Sequence, residues 1–133
     1  MIEIITGVVA LVIAATATGK TLKLYGEDHP DSVKEPFVTT YTVYARTGYN
    51  GADNRYVFTI KKLPSGYRCY IDRTPSYRGR STDMHITHHL VDSRGKYICY
   101  TANLSYITQA KTLCDQWSNL TQRYIETGRT FES

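Results

Sequence analysis

Apolar and polar residues alternate one by one over residues 37–46, FVTTYTVYAR. In an extended chain this puts Val38, Thr40, Thr42 and Tyr44 on one side and Thr39, Tyr41, Val43 and Ala45 on the other. The same period returns in RYVFTIKK (55–62), where Tyr56, Phe58 and Ile60 share a face, and in YRCYID (67–72), where Tyr67, Cys69 and Ile71 do. Pro64 and Gly66 between them predict a hairpin. A second hairpin is predicted from MHITHHLVD (84–92) and KYICYT (96–101) across Ser93, Arg94 and Gly95. From residue 108 the period lengthens. Ala110, Leu113, Cys114, Trp117, Leu120, Thr121, Tyr124 and Ile125 recur at three-and-four spacing, with Thr108 as the expected N-cap and Gly128 as the stop. These elements predict an α+β domain. It has an antiparallel sheet of about five strands, covered on one face by a C-terminal amphipathic helix over 108–127 that Trp117 anchors.

Ahead of this domain (37–133) lie two stretches of other character. Residues 4–17, IITGVVALVIAATA, are apolar and uncharged, and 20–36 is a polar linker closed by YGEDHPDSVKEP. A helix over 2–18 would be roughly 25 Å long, at the short end for a hydrocarbon core of about 30 Å. Thr6, Ala10, Ala14 and Thr18 would form the small-residue seam along which membrane helices approach, and so a route to a homo-oligomer. Lys20 and Lys23 follow the run and no Lys or Arg precedes it. The segment 1–19 is therefore expected to be a single membrane span with the C-terminal domain in the cytoplasm. Two alternatives remain open: a cleaved signal peptide, although Glu3 is the wrong charge for its start, and a pair of buried strands, since Val, Ile and Thr are abundant. Gly19-Lys20-Thr21 matches the end of a phosphate-binding loop. Ala14 stands where that loop's first glycine belongs, and a strand-like LKLYG follows instead of a helix, so nucleotide binding is not expected.

The chain of 133 residues carries a formal charge of +4. The excess is local: Lys61, Lys62, Arg68, Arg73, Arg78, Arg80, Arg94 and Lys96 face only Asp72, Asp83 and Asp92 between Lys61 and Lys96. Within that section Lys61, Lys62, Arg73, Tyr77, Arg78 and Arg80 are the candidate binding residues. Arginine interleaved with the chain's 12 tyrosines suits a protein-binding surface and, as the alternative, stacking on nucleobases. Cys69, Cys99 and Cys114 show no CxxC spacing and are expected to be reduced core residues.

Candidate chemistry centres on His85, His88 and His89. On a strand, His85 and His89 point one way and His88 the other. The two on one face lie about 13 Å apart, too far to share a metal ion without a bend. His85-Ile86-Thr87 resembles one of the two H-x-T motifs of the two-histidine phosphoesterases. That resemblance implies a small hydrolase, but the second motif is missing and His88 is polar where an apolar residue stands in that family. Cys69 and Cys99 lie inside strands, flanked by tyrosines, and not at a helix N-terminus or beside a cleft cation that would activate a thiolate. No cofactor is expected. The order strand–strand–strand–helix from Tyr67 to Gly128 resembles the small DNA-binding module at the front of tyrosine recombinases and in a plant DNA-binding class. There a three-stranded sheet enters the major groove, but the long loop 73–83 departs from their tight hairpins. The sequence therefore predicts a membrane-anchored, non-catalytic module for a protein partner. Nucleic-acid binding through the basic section is the alternative, and a hydrolase around the histidines comes third.

Overall fold

The computed structural model describes residues 37–100 and 103–132. The predicted span, the linker and the seam of small residues lie outside the described residues. Among the described residues no helix is long and apolar enough to cross a membrane.

The order of elements is β1 (Val38–Tyr44), β2 (Arg55–Leu63), β3 (Gly66–Arg73), α1 (Met84–Thr87), β4 (His89–Val91), β5 (Lys96–Ile98) and α2 (Ile107–Thr127). The five strands form one antiparallel sheet in the order β1-β2-β3-β5-β4. β1 and β2 pair without interruption, with Tyr41 opposite Phe58. The β2–β3 ladder shifts register between Val57 and Phe58, a bulge that adds local twist. At the hairpin between them Gly66 has φ +129°, and a Cβ there would stand 2.8 Å from the carbonyl oxygen of Leu104. The segment before α2 thus runs against the backbone of β3, and Leu104 O accepts from Tyr67 N at 2.8 Å. Only glycine satisfies both the dihedral and the approach.

The alternation places the core as the sequence predicts. Tyr56, Phe58 and Ile60 are fully buried beneath α2, beside Val43, Ala45, Tyr67 and Cys69. Trp117 enters this layer edge-on to Tyr56 (6.1 Å between centroids) and Phe58 (5.9 Å), and its Nε1 donates to Thr87 O at 2.9 Å. Such edge-to-face pairs add about 0.5–1.5 kcal/mol beyond area burial. Tyr56 Oη donates to Gln122 Oε1 at 2.8 Å, so the polar ends of two buried side chains satisfy each other. The helix is tied back to β1 and the loop after it as well. Tyr41 Oη donates to Asp115 Oδ1 at 2.9 Å, and Arg46 N donates to Asn119 Oδ1 at 2.8 Å.

Four expectations change in detail. The helix starts at Ile107 with Tyr106 as N-cap, because Gln109 Oε1 reaches back to the backbone N–H groups of Ser105 (2.8 Å) and Tyr106 (3.1 Å), which sets the first turn ahead of Thr108. Gly128 does end it, at φ +79°. Leu120 is only half-buried, while the polar Thr112, Ser118 and Gln122 are buried in the helix face. The second strand of the second hairpin is shorter, Lys96–Ile98.

The fourth change is the largest: residues 84–92 are not one strand. Asp83 Oδ1 accepts from His85 N at 2.9 Å and caps a single helical turn. Thr87 Oγ1 donates back to Asp83 O at 3.1 Å, and His88 at φ +51° breaks the turn before β4. Ile and Thr favour strands, but here the Asp83 cap and the Thr87 back-bond hold a helical turn. From Tyr67 onward the order is therefore strand, short helix, two short strands, helix, which departs from the three-strand order of the DNA-binding module.

Candidate functional site: the uncovered sheet face and the His89 cleft

Among the described residues α2 covers one face of the sheet and no element covers the other, which carries a ladder of stacked Arg and Tyr side chains. Strand alternation turns Arg68 and Tyr70 of β3 away from the core, and the register sets Tyr70 opposite Tyr97 of β5. The two rings meet at 5.9 Å. The Arg68 guanidinium lies over Tyr97 at 4.2 Å, and that of Arg94 over Tyr70 at 4.8 Å. The turn between β4 and β5 fastens the ladder. Asp92 Oδ2 accepts from Tyr70 Oη at 2.6 Å and from Arg68 Nη1 at 2.8 Å. Its Oδ1 accepts from the backbone of Arg94 at 2.8 Å and of Gly95 at 3.2 Å. The Tyr70 hydrogen bond, followed by these backbone and Arg68 contacts, pulls the Asp92 carboxyl down to about 2. Burial, then the Asp92 contact, raises Tyr70.

The second feature is a cleft of about 160 Å³ with Asp72, Arg73, Tyr77, His89, Lys96 and Trp117 in its lining. Burial pushes His89 down to about 4, helped by the positive charge of Lys96. Its Nδ1 lies 2.7 Å from Thr87 Oγ1, a hydroxyl that also lies 3.1 Å from Asp83 O, so the ring is held through the capped turn before β4. At neutral pH His89 is thus neutral, too weakly basic to drive general-base catalysis well. Burial also raises the Cys99 thiol to about 11 and the Cys114 thiol well above its usual range, the opposite of what a nucleophile needs.

The histidine cluster disperses. His85 is exposed on α1 and His89 is buried at the start of β4. His88 stacks on Phe131 at 4.8 Å, with Nε2 2.7 Å from Glu132 Oε2. The one-strand geometry for His85 and His89 as metal ligands is therefore corrected: α1 and the turn at His88 separate them. Among the described residues no three His, Cys, Asp or Glu side chains gather in a way that could hold a metal ion.

The six candidate binding residues do not form one cluster. Arg73 grips Asp53 with both terminal nitrogens, at 2.6 and 3.2 Å, and holds that carboxyl below its usual range. Arg80 Nε donates to Ile125 O at 2.9 Å, placing a cation at the negative end of α2. Tyr77 is half-buried, edge-on to Tyr124 at 6.3 Å, and burial raises it to about 12. Arg78 is exposed, with φ +54°. Lys61 and Lys62 sit at the far end of β2, opposite Arg68 and Tyr67. Arg73 pairs with Val57, about 13 Å along the strand from Lys61. The ladder of Arg68, Tyr70, Asp92, Arg94 and Tyr97 was not singled out from the sequence. The alternation that turns Arg68 and Tyr70 away from Tyr67 and Cys69 was its visible signal.

Comparison with protein-family models, curated proteins and solved structures finds no match to this chain.

Proposed function

We propose that this chain is a non-catalytic interaction module that binds a partner protein through the uncovered face of its sheet. A membrane span within residues 1–19 would hold it at the membrane, with the domain on the cytoplasmic side. The observation that carries the reading is the Arg68–Tyr97 and Arg94–Tyr70 ladder fastened to Asp92. Tyrosine and arginine are the residues that most often dominate interface energetics. Here they are already ordered, so a partner does not have to immobilise them on binding. The titratable groups elsewhere serve the fold: His89 is held neutral and Arg73 and Arg80 are engaged.

The test is cross-linking of the full chain in its native membranes, wild type beside Arg94→Ala and Tyr97→Ala. A partner adduct that falls at least severalfold in both variants supports the reading; an adduct unchanged in both sinks it. Carbonate extraction checks the membrane half, and full release into the supernatant with Met1 intact would remove the anchor. Nucleic-acid binding is the competing outcome. It would appear as low-salt affinity that drops steeply with salt as phosphate counterions are released. Loss of that affinity on joint replacement of Arg73, Arg78 and Arg80 would replace the protein-partner reading.

A further inference from the structure

The backbone directions in β1 are fixed by its two ends. Lys62 N donates to Phe37 O at 2.7 Å, and Ala45 N donates to Asn54 O at 2.9 Å. In the uninterrupted ladder between them, Thr39, Tyr41 and Val43 also turn their N–H and C=O groups toward β2. Those of Val38, Thr40, Thr42 and Tyr44 therefore point outward, since among the described residues β1 is the first strand in the sheet's order. Proteins usually blunt such an edge with charge, proline, a bulge or shortness. The opposite edge, β4, has 3 residues. β1 has 7, VTTYTVY, with no charged residue and no proline, and its ladder has no bulge.

The sequence of that edge is close to self-complementary about Tyr41. Antiparallel pairing with a second copy sets Thr40 against Thr42, Thr39 against Val43 and Val38 against Tyr44. These are hydroxyl, β-branched and aromatic pairs of the kinds that stabilise cross-strand contacts. The outward groups fall on the hydrogen-bonded positions of this register, which supplies about eight intermolecular backbone bonds. Exposed apolar side chains gather at the two ends of the same strand: Phe37 is 73%, Val38 55% and Tyr44 68% exposed. The antiparallel register brings those ends together across the twofold. An uncharged strand offers a foreign partner no charge pattern to recognise, whereas it matches itself.

We propose that two copies of this chain pair β1 to β1 about a twofold axis at Tyr41, joining their sheets into one continuous sheet. The contact uses the edge and leaves the Arg–Tyr ladder free, so it stands apart from the proposed partner site. The full chain, in mild detergent, is examined by sedimentation over the micromolar range. The wild type is expected to show a concentration-dependent dimer. Thr40→Lys with Thr42→Lys puts lysine against lysine across the axis while leaving every β1–β2 bond in place, and weakens the dimer at least about tenfold. A second variant guards against loss of fold. Thr40→Cys with Thr42→Cys places cysteines on facing hydrogen-bonded positions about 5.5 Å apart, within disulfide reach. It is expected to give a reducible covalent dimer that Val57→Cys with Thr59→Cys does not. A wild type that stays monomeric overturns the proposal. So does a dimer that the lysines leave unchanged, as pairing through Thr6, Ala10, Ala14 and Thr18 would be, or a cysteine pair that fails to cross-link.

Discussion

The two faces of this sheet bury tyrosine by different means. Under α2, Tyr56 is surrounded by Phe58 and Trp117, and its hydroxyl ends on a buried glutamine. On the other face Tyr70 is almost as inaccessible, at 5% exposed, although among the described residues no second layer lies over it. Its cover is local: the Arg94 guanidinium above, the Tyr97 ring beside and Asp92 at the hydroxyl. One long helix, the one among the described residues, can pack only one side of the sheet. The other side is closed by amphipathic side chains whose stems and rings do the covering while their charges stay in water. Loss on the helix side should therefore open the fold, and loss on the other should change mainly its surface.

The sharpest break is Trp117→Ala, which empties the contact among Tyr56, Phe58 and Phe131. It should cost about 3–5 kcal/mol, read as a large fall in the denaturation midpoint; an unchanged midpoint would show that α2 does not pack as described. Tyr56→Phe keeps the ring and strands the Gln122 carbonyl in the core, for a cost of about 1–3 kcal/mol. A loss as small as that of an exposed tyrosine would mean that the buried polar pair contributes little.

Acidity separates the two sides again. His89 titrates near 4 when folded, against 6.5 as its ordinary value. The unfolded chain therefore binds the extra proton first. The contribution of neutral His89 is complete above about 6.5 and disappears as pH falls from there to about 4. His89→Gln should flatten much of the stability profile over that interval. His88, whose pKa burial also lowers, keeps part of the slope. Asp92 acts lower. Its carboxyl lies near 2 against 3.8, so its contribution is present above about 4 and is lost as pH falls from 4 toward 2. Asp92→Asn should give the smallest change of the four at neutral pH and shrink that acid limb, to which Asp53 and Glu126, also held below their usual range, still contribute. An acid limb of unchanged size after the substitution would mean that the ladder is not fastened through Asp92.

The strands that were legible in advance are those with long period-two runs. In β1, β2 and β3 the faces follow from alternation alone, and the burial of Tyr56, Phe58 and Ile60 agrees with it. Trp117 and Gly128 were legible for the corresponding helical reasons. His85, His88 and His89 were misread because one side-chain cap and one left-handed residue outweigh the strand preference of Ile86 and Thr87. The ladder was out of reach for another reason. Its pairs join β3 to β5 across a register of a single described pair, Tyr70 with Tyr97, which no local pattern specifies. Arg73 and Arg80 looked like free cations because their partners, Asp53 and the end of α2, are distant in sequence.

The reach of α2 back to β1 and β2 has a consequence for how the chain is made. Tyr41 and Asp115 are separated by 74 residues, and Tyr56 and Gln122 by 66. At a synthesis rate of about 5–20 residues per second, β1 and β2 wait roughly 4–14 s for the helix that will cover them. During that interval Tyr56, Phe58 and Ile60 present an apolar surface beside an uncharged strand edge. The nascent chain is then a natural client for a chaperone at the ribosome exit. A translational pause just before Ile107 should raise the yield of aggregate rather than of folded protein.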